Sequence, residues 1–103
     1  MSSTISGGIA IIGVGHHLPL YVESNEELCR GLAVTPEWIV EKTGIQRRYL
    51  AGPGDTASAF AGQAASRALA MAGITTAQVD LIIGCTFSAD YIFPPLSAKL
   101  HQD

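Results

Sequence analysis

Two stretches decide what this chain can fold into. Residues 8–14 (Gly-Ile-Ala-Ile-Ile-Gly-Val) and residues 79–87, centred on Leu81, Ile82 and Ile83, are apolar at consecutive positions rather than alternating ones. A strand with that pattern is apolar on both faces and belongs inside a layered sheet, with cover above and below. At 103 residues there is little chain from which to build such cover. Only about two-thirds of an unfolded chain's surface is buried at this size. Composition points the same way, with 48% hydrophobic and only 15% charged residues, where a free-standing domain carries roughly 25% charged. The expectation is one incomplete α/β domain over residues 1–103, part of whose surface is meant to be covered.

Local signals fill in the elements. Ser24 followed by Glu27 is the capping-box spacing that satisfies free amides at a helix start, and a short helix should run from there to about Gly31. Thr35, Pro36 and Glu37 give a clearer start: a hydroxyl cap, a preset φ at the first helical position, and an acid at the positive end of the dipole. Gly44 supplies the left-handed residue that ends this helix after about two turns. Residues 45–50 read as a strand and residues 52–54 (Gly-Pro-Gly) as a turn. From residue 55 or 56 to Ala72 the chain is an alanine-rich helix stopped by Gly73, whose small side chains let another backbone come close. Residues 79–87 read as a second buried strand, and residues 93–96 (Phe-Pro-Pro-Leu) as a loop entering a last helix. This order is that of a layered α/β fold with a partly parallel sheet.

Charge and cysteine content exclude several functions. The formal net charge is −3, with no basic run beyond Arg47 and Arg48, so the electrostatic footprint of a nucleic-acid binder is missing. Cys29 and Cys85 form neither a disulfide framework nor metal-site spacing, which suits a reducing cytosol. No apolar run approaches the roughly 18 residues of a membrane span, and the first residues lack the charged and apolar regions of a secretory leader. The chain reads as soluble and cytoplasmic.

Several motifs have plain explanations. Gly13-Val14-Gly15 follows a buried run as a dinucleotide fingerprint would, but Leu18 stands where the third glycine belongs and Pro19 interrupts the helix that should follow. His16 and His17 are adjacent, diverge, and have no further ligand at metal spacing. Cys85 lies near the end of a predicted strand without a base to activate it, and reads as a buried small side chain. Trp38, Lys42 and Thr43 are the most informative group, because residues four apart share a helix face. An indole beside an ammonium and a hydroxyl could stack an adenine and hold a phosphate. Spacing alone favours the plainer reading, in which Trp38 anchors the core and Lys42 is a solvated partner of Glu41 or another acid.

Residues 35–48 (Thr-Pro-Glu-Trp-Ile-Val-Glu-Lys-Thr-Gly-Ile-Gln-Arg-Arg) resemble the Glu-Trp-Ile-x-x-x-Thr-Gly-Ile-x-x-Arg signature of the β-ketoacyl-acyl-carrier-protein synthase III family, thiolase-fold condensing enzymes. Residues 12–19 resemble the family's first strand and Leu-Pro turn, residues 70–74 the end of its long helix, and residues 79–83 with Phe93 and Pro94 its third strand and exit loop. The blocks occur in sequence order from Ile9 onward.

The resemblance implies the first portion of an N-terminal thiolase-like half, an α/β layered fold with an incomplete mixed sheet and flanking helices. It implies that Trp38 stacks on the adenine of coenzyme A, that Lys42 and Thr43 lie along its phosphate end, and that Phe93 reaches across a homodimer toward the neighbouring acyl tunnel. Two positions depart from the pattern: Lys42 stands where the family often has Arg, and Val34 where it has a polar residue. An ammonium lacks the planar fork of a guanidinium, which weakens bidentate phosphate contacts. The implied reaction is a decarboxylative condensation of an acyl-CoA primer with malonyl-carrier protein, in fatty acid or polyketide biosynthesis. Coenzyme A thioester enters as substrate, no separate cofactor or metal is implied, and the acyl-carrier protein is the partner. The family's Cys, His and Asn match no position here and would lie beyond Asp103, so no catalytic residue is assigned. Two other readings share this entrance: a thiolase-fold acyltransferase acting on an alcohol or amine, and a non-catalytic module that binds coenzyme A or dimerises.

Overall fold

The computed structural model describes residues 7–103. The opening residues, whose composition argued against a secretory leader, lie outside the described part. Elements follow in the order β1 (Tyr21–Ser24), α1 (Asn25–Cys29), α2 (Pro36–Thr43), β2 (Arg47–Leu50), α3 (Ala57–Ala72), a 3-10 turn (Thr76–Gln78) and α4 (Leu96–Gln102). They divide into two compact units, one of residues 18–56 and one of residues 57–103 with the segment ending at His17. No helix among the described residues is long and apolar enough to cross a membrane.

In the unit of residues 18–56, β1 and β2 pair antiparallel, with Tyr21 opposite Leu50 and Ser24 opposite Arg47. Ser24 closes β1 and caps α1: its backbone is extended, and its hydroxyl accepts from the Glu27 N–H at 3.2 Å. The helix is shorter than the capping pattern suggests and ends at Cys29, before Gly31. Thr35 caps α2 in the same way, accepting from the Trp38 N–H at 3.2 Å. Gly44 terminates it at φ 73°, where its N–H reaches the Val40 carbonyl at 2.8 Å. Ile39 is the buried apolar side chain of the described residues, 8% exposed, and Asn25 is still more enclosed at 2%.

The other unit is organised by α3. Ala64, Ala68 and Ala72 recur every fourth residue and leave a shallow face on the helix. Gly13 and Gly15 lie on that face. A Cβ at Gly15 would stand 2.7 Å from the Ala68 nitrogen, and one at Gly13 would stand 3.0 Å from the Ala72 nitrogen. The expected close approach of a second backbone to small side chains is therefore present. Arg67 reinforces it by donating to the His16 carbonyl at 2.6 Å. Gly84 makes a similar approach to the start of α4, where a Cβ would lie 2.9 Å from the Ser97 nitrogen.

The two doubly apolar runs depart from expectation. Residues 8–14 and 79–87 join no ladder, and Ile9, Ile11, Ile12, Val14, Leu81, Ile83 and Phe87 are exposed. A strand exists only through its lateral hydrogen-bond partners. Among the described residues the one ladder is the β1–β2 pair. The runs carry the composition of interior strands, with packing on the helix side through their glycines and apolar side chains left open to solvent.

Candidate functional site

The group Trp38, Lys42 and Thr43 is built on α2, and each part of that helix has a local cause. Thr35 and Pro36 start it, Ile39 turns inward as its buried contact, and Gly44 stops it. Ile39 is buried, while Trp38 before it and Lys42 after it, four residues apart on one helix face, are both exposed. Trp38 is 47% exposed and is not a sealed core anchor. Lys42 is exposed, and among the described residues it forms no ion pair, with Glu41 or any other acid. Its position in the last turn also suits the negative end of the helix dipole. An aromatic face and an uncommitted ammonium are thus presented one turn apart on the surface.

Thr43 has a different place in this arrangement. Its hydroxyl donates to the Ile39 carbonyl at 2.7 Å and accepts from the Ile45 N–H at 3.0 Å. A hydroxyl has one proton to give. With that proton committed to the helix, Thr43 offers an anionic ligand no donor in this conformation, and its effect is to hold the last turn of α2 in shape. Ile45 is in turn held at its carbonyl by the Asn25 amide, 2.7 Å away, and the Asn25 N–H donates to the Gln46 carbonyl at 3.2 Å. Arg48 completes the cluster, donating to the Asn25 side-chain oxygen at 2.5 Å and to the Glu23 carboxylate at 3.3 Å. Sequence reading passed over Asn25 and placed Arg48 only in the basic pair and the family signature, without a role. An Asn after a capping Ser and an Arg in a strand are unremarkable until β1 and β2 pair and bring them together.

An open groove is lined by Asn25, Pro36, Glu37, Val40, Glu41 and Arg47, among others, and includes none of Trp38, Lys42 and Thr43. Trp38 and Lys42 are presented on the open surface of α2, suited to lie against one side of a ligand.

Phe93 belongs to the other unit, in the segment leading to α4, and is 84% exposed. It is not packed as a loop anchor. Tyr91 and Ile92 beside it are also exposed. The segment is fastened instead by Asp90, whose carboxylate accepts the N–H of Ser58 at 3.0 Å and its hydroxyl as well.

His16 gives its carbonyl to Arg67, and the His17 ring meets Phe60 edge-on at 5.0 Å. No group of three metal-ligating side chains occurs among the described residues. Cys85, expected to be buried, is exposed, because the run that carries it is uncovered.

No protein-family model matches the chain. Individual relatives do. The β-ketoacyl-[acyl-carrier-protein] synthase III of Bordetella petrii is 51% identical over an alignment of 89 residues that covers 82% of this chain and 27% of that protein. The crystal structure of 3-oxoacyl-[acyl-carrier-protein] synthase III from Aquifex aeolicus superposes with a TM-score of 0.84 at 35% identity, covering 92% of this chain and 30% of the other. The priming β-ketosynthase from the R1128 polyketide biosynthetic pathway superposes with a TM-score of 0.81 at 36% identity, covering 89% and 28%. The chain spans less than a third of the length of each. The resemblance carried by residues 35–48 therefore holds along most of the chain, which is similar in sequence, and in its incomplete thiolase-like α/β fold, to a segment of the β-ketoacyl-[acyl-carrier-protein] synthase III proteins.

Proposed function

We propose that the chain serves as the first portion of the N-terminal thiolase-like half of a β-ketoacyl-[acyl-carrier-protein] synthase III-like acyltransferase. The whole protein would condense an acyl-CoA primer with malonyl-carrier protein, in fatty acid or polyketide biosynthesis, as a cytoplasmic homodimer. In this reading residues 1–103 carry part of the coenzyme A entrance and no catalytic residue. Trp38 supplies a stacking face for adenine, and Lys42 supplies charge toward a phosphate. Thr43 keeps the turn between them and Gly44 in shape, and Phe93 is the apolar residue offered toward a neighbouring acyl tunnel. Coenzyme A thioester is the substrate, and no further cofactor is needed for these roles.

The observation that carries the reading is the outward pairing of an indole and an uncommitted ammonium on one capped helix. Stacking of a base on an aromatic side chain is worth about 1–3 kcal/mol, enough for a weak but measurable site before phosphate contacts are added. Trp38 is the single tryptophan of the chain, so its fluorescence reports the surface directly. Titration with coenzyme A should quench it saturably, and Lys42→Ala should shift the titration to several-fold higher concentration. Absence of saturable quenching in the unsubstituted chain would remove the reading.

A further inference from the structure

We infer that Asn25 is a positioning residue for nucleotide recognition: by holding the Ile45 carbonyl, it fixes the last turn of α2 and so the placement of Lys42 relative to Trp38. The inference rests on the coenzyme A reading above and adds to it a residue that touches no ligand.

Asn25 is 2% exposed, and its side chain is used at both ends. The oxygen accepts from Arg48 at 2.5 Å and the nitrogen donates to the Ile45 carbonyl at 2.7 Å. The direction of the amide follows from its partners, since a guanidinium can only donate and a carbonyl only accept. An aspartate could satisfy Arg48 but has no donor for Ile45, and an aliphatic side chain could serve neither. Arg48 is itself held by the Glu23 carboxylate at 3.3 Å and by the carbonyls of Glu23 and Ser24 at 3.4 and 3.3 Å.

From Asn25 the hydrogen bonds run without a break into α2. The Ile45 peptide that Asn25 grips at its neighbouring carbonyl donates its own N–H to Thr43, and Thr43 donates to Ile39. Lys42 stands inside the turn that these bonds close. Trp38 stands one turn earlier, where Thr35 fixes the helix start. The two recognition side chains therefore answer to different supports, the indole to the N-cap and the ammonium to the Asn25 cluster. Loss of Asn25 should move the second without the first. A buried, fully satisfied polar network selects one geometry over near alternatives more than it adds stability.

Adenosine and coenzyme A separate these effects, since adenosine reports on the ring and coenzyme A on the ring and phosphates together. In the unsubstituted chain, followed by Trp38 fluorescence and calorimetry, coenzyme A should bind more tightly than adenosine. Asn25→Asp should lower coenzyme A affinity about fivefold, the loss of one neutral hydrogen bond, and leave adenosine within twofold and the circular dichroism unchanged. Arg48→Lys removes the fork that orients Asn25 but keeps the charge, and should produce a smaller loss of the same kind. It decides the matter should the Asp variant fail to fold. Equal losses for both ligands would show a general structural role and overturn the inference, as would variants that bind both ligands normally. An unsubstituted chain that binds no coenzyme A overturns the underlying reading, and this inference with it.

Discussion

The Asp90 carboxylate sits on the first turn of α3 and accepts both the backbone N–H and the hydroxyl of Ser58, 32 positions away in sequence. A helix start leaves its first amides unpaired, and an anion there also meets the positive end of the dipole. The Ser58 hydroxyl first, and then the Ser58 N–H, hold the Asp90 carboxyl below its usual range, with Lys99 adding a weaker pull. A carboxylate depressed in the folded state stabilises the fold fully above the ordinary carboxylate range, and this contribution disappears as pH falls through the folded value. Asp90→Asn should therefore flatten the decline in urea midpoint on acidification, with the variant less stable than the unsubstituted chain at pH 6 and the gap narrowing as pH falls below the ordinary carboxylate range. A difference that stays constant with pH would show that the charge is not what fastens the loop.

Gly15 and Gly62 predict opposite responses to the same substitution. At Gly15 a methyl group would enter the backbone of α3, 2.7 Å from the Ala68 nitrogen, and the segment would have to lift off the helix. Gly15→Ala should cost about 1–3 kcal/mol, as overpacking does. At Gly62, inside α3, the added methyl would meet nothing within 4 Å. Gly62→Ala should stabilise by about 0.5–1 kcal/mol, because alanine loses less backbone freedom in a helix. Denaturant midpoints of the pair check both signs at once.

Thr35→Ala tests the start of α2. Removing the hydroxyl that accepts from Trp38 N–H should cost about 1 kcal/mol. Thr35→Ser keeps the acceptor and should recover most of it. Because the cap supports the first turn, where Trp38 sits, the Ala variant should also weaken adenosine binding, the response that Asn25→Asp should lack. Equal adenosine affinities in Thr35→Ala and Thr35→Ser would separate the cap from the stacking surface.

Helix ends were legible in the sequence because capping is a local contract between residues three or four apart. Thr35, Pro36 and Gly44 bound α2 as their chemistry requires, and Gly73, at φ 71°, follows the last residue of α3. The outward pair Trp38 and Lys42 was legible only through the resemblance, since spacing alone favoured a buried indole. Contacts across the chain left no local mark. Asn25 meets Arg48, and Ser58 meets Asp90, only after distant segments pair, and nothing in the flanking residues announces either. The strand at residues 21–24 was missed because its four residues are apolar at only two positions and gain their identity from β2 opposite. The apolar runs at residues 8–14 and 79–87 erred in the other direction: their composition records a ladder that the described residues do not form.

Those same runs predict how the chain behaves in solution. Ile11, Ile83 and Phe87 are exposed on segments with no lateral partner among the described residues. Unpaired backbone groups beside apolar side chains form a template for pairing with another copy. The purified chain should therefore self-associate with rising concentration, and more strongly in salt, because hydrophobic contact is strengthened by excluded kosmotropic ions while the net charge of −3 is screened. Ile83→Lys places a charge on an already exposed position, so it should change stability by less than about 0.5 kcal/mol. It should nevertheless shift the association, read by sedimentation velocity, to several-fold higher concentration. A chain that stays monomeric from micromolar to near-millimolar concentration, with a cooperative melt, would mean that these runs find cover within a single copy, and the open face described for them would then be wrong.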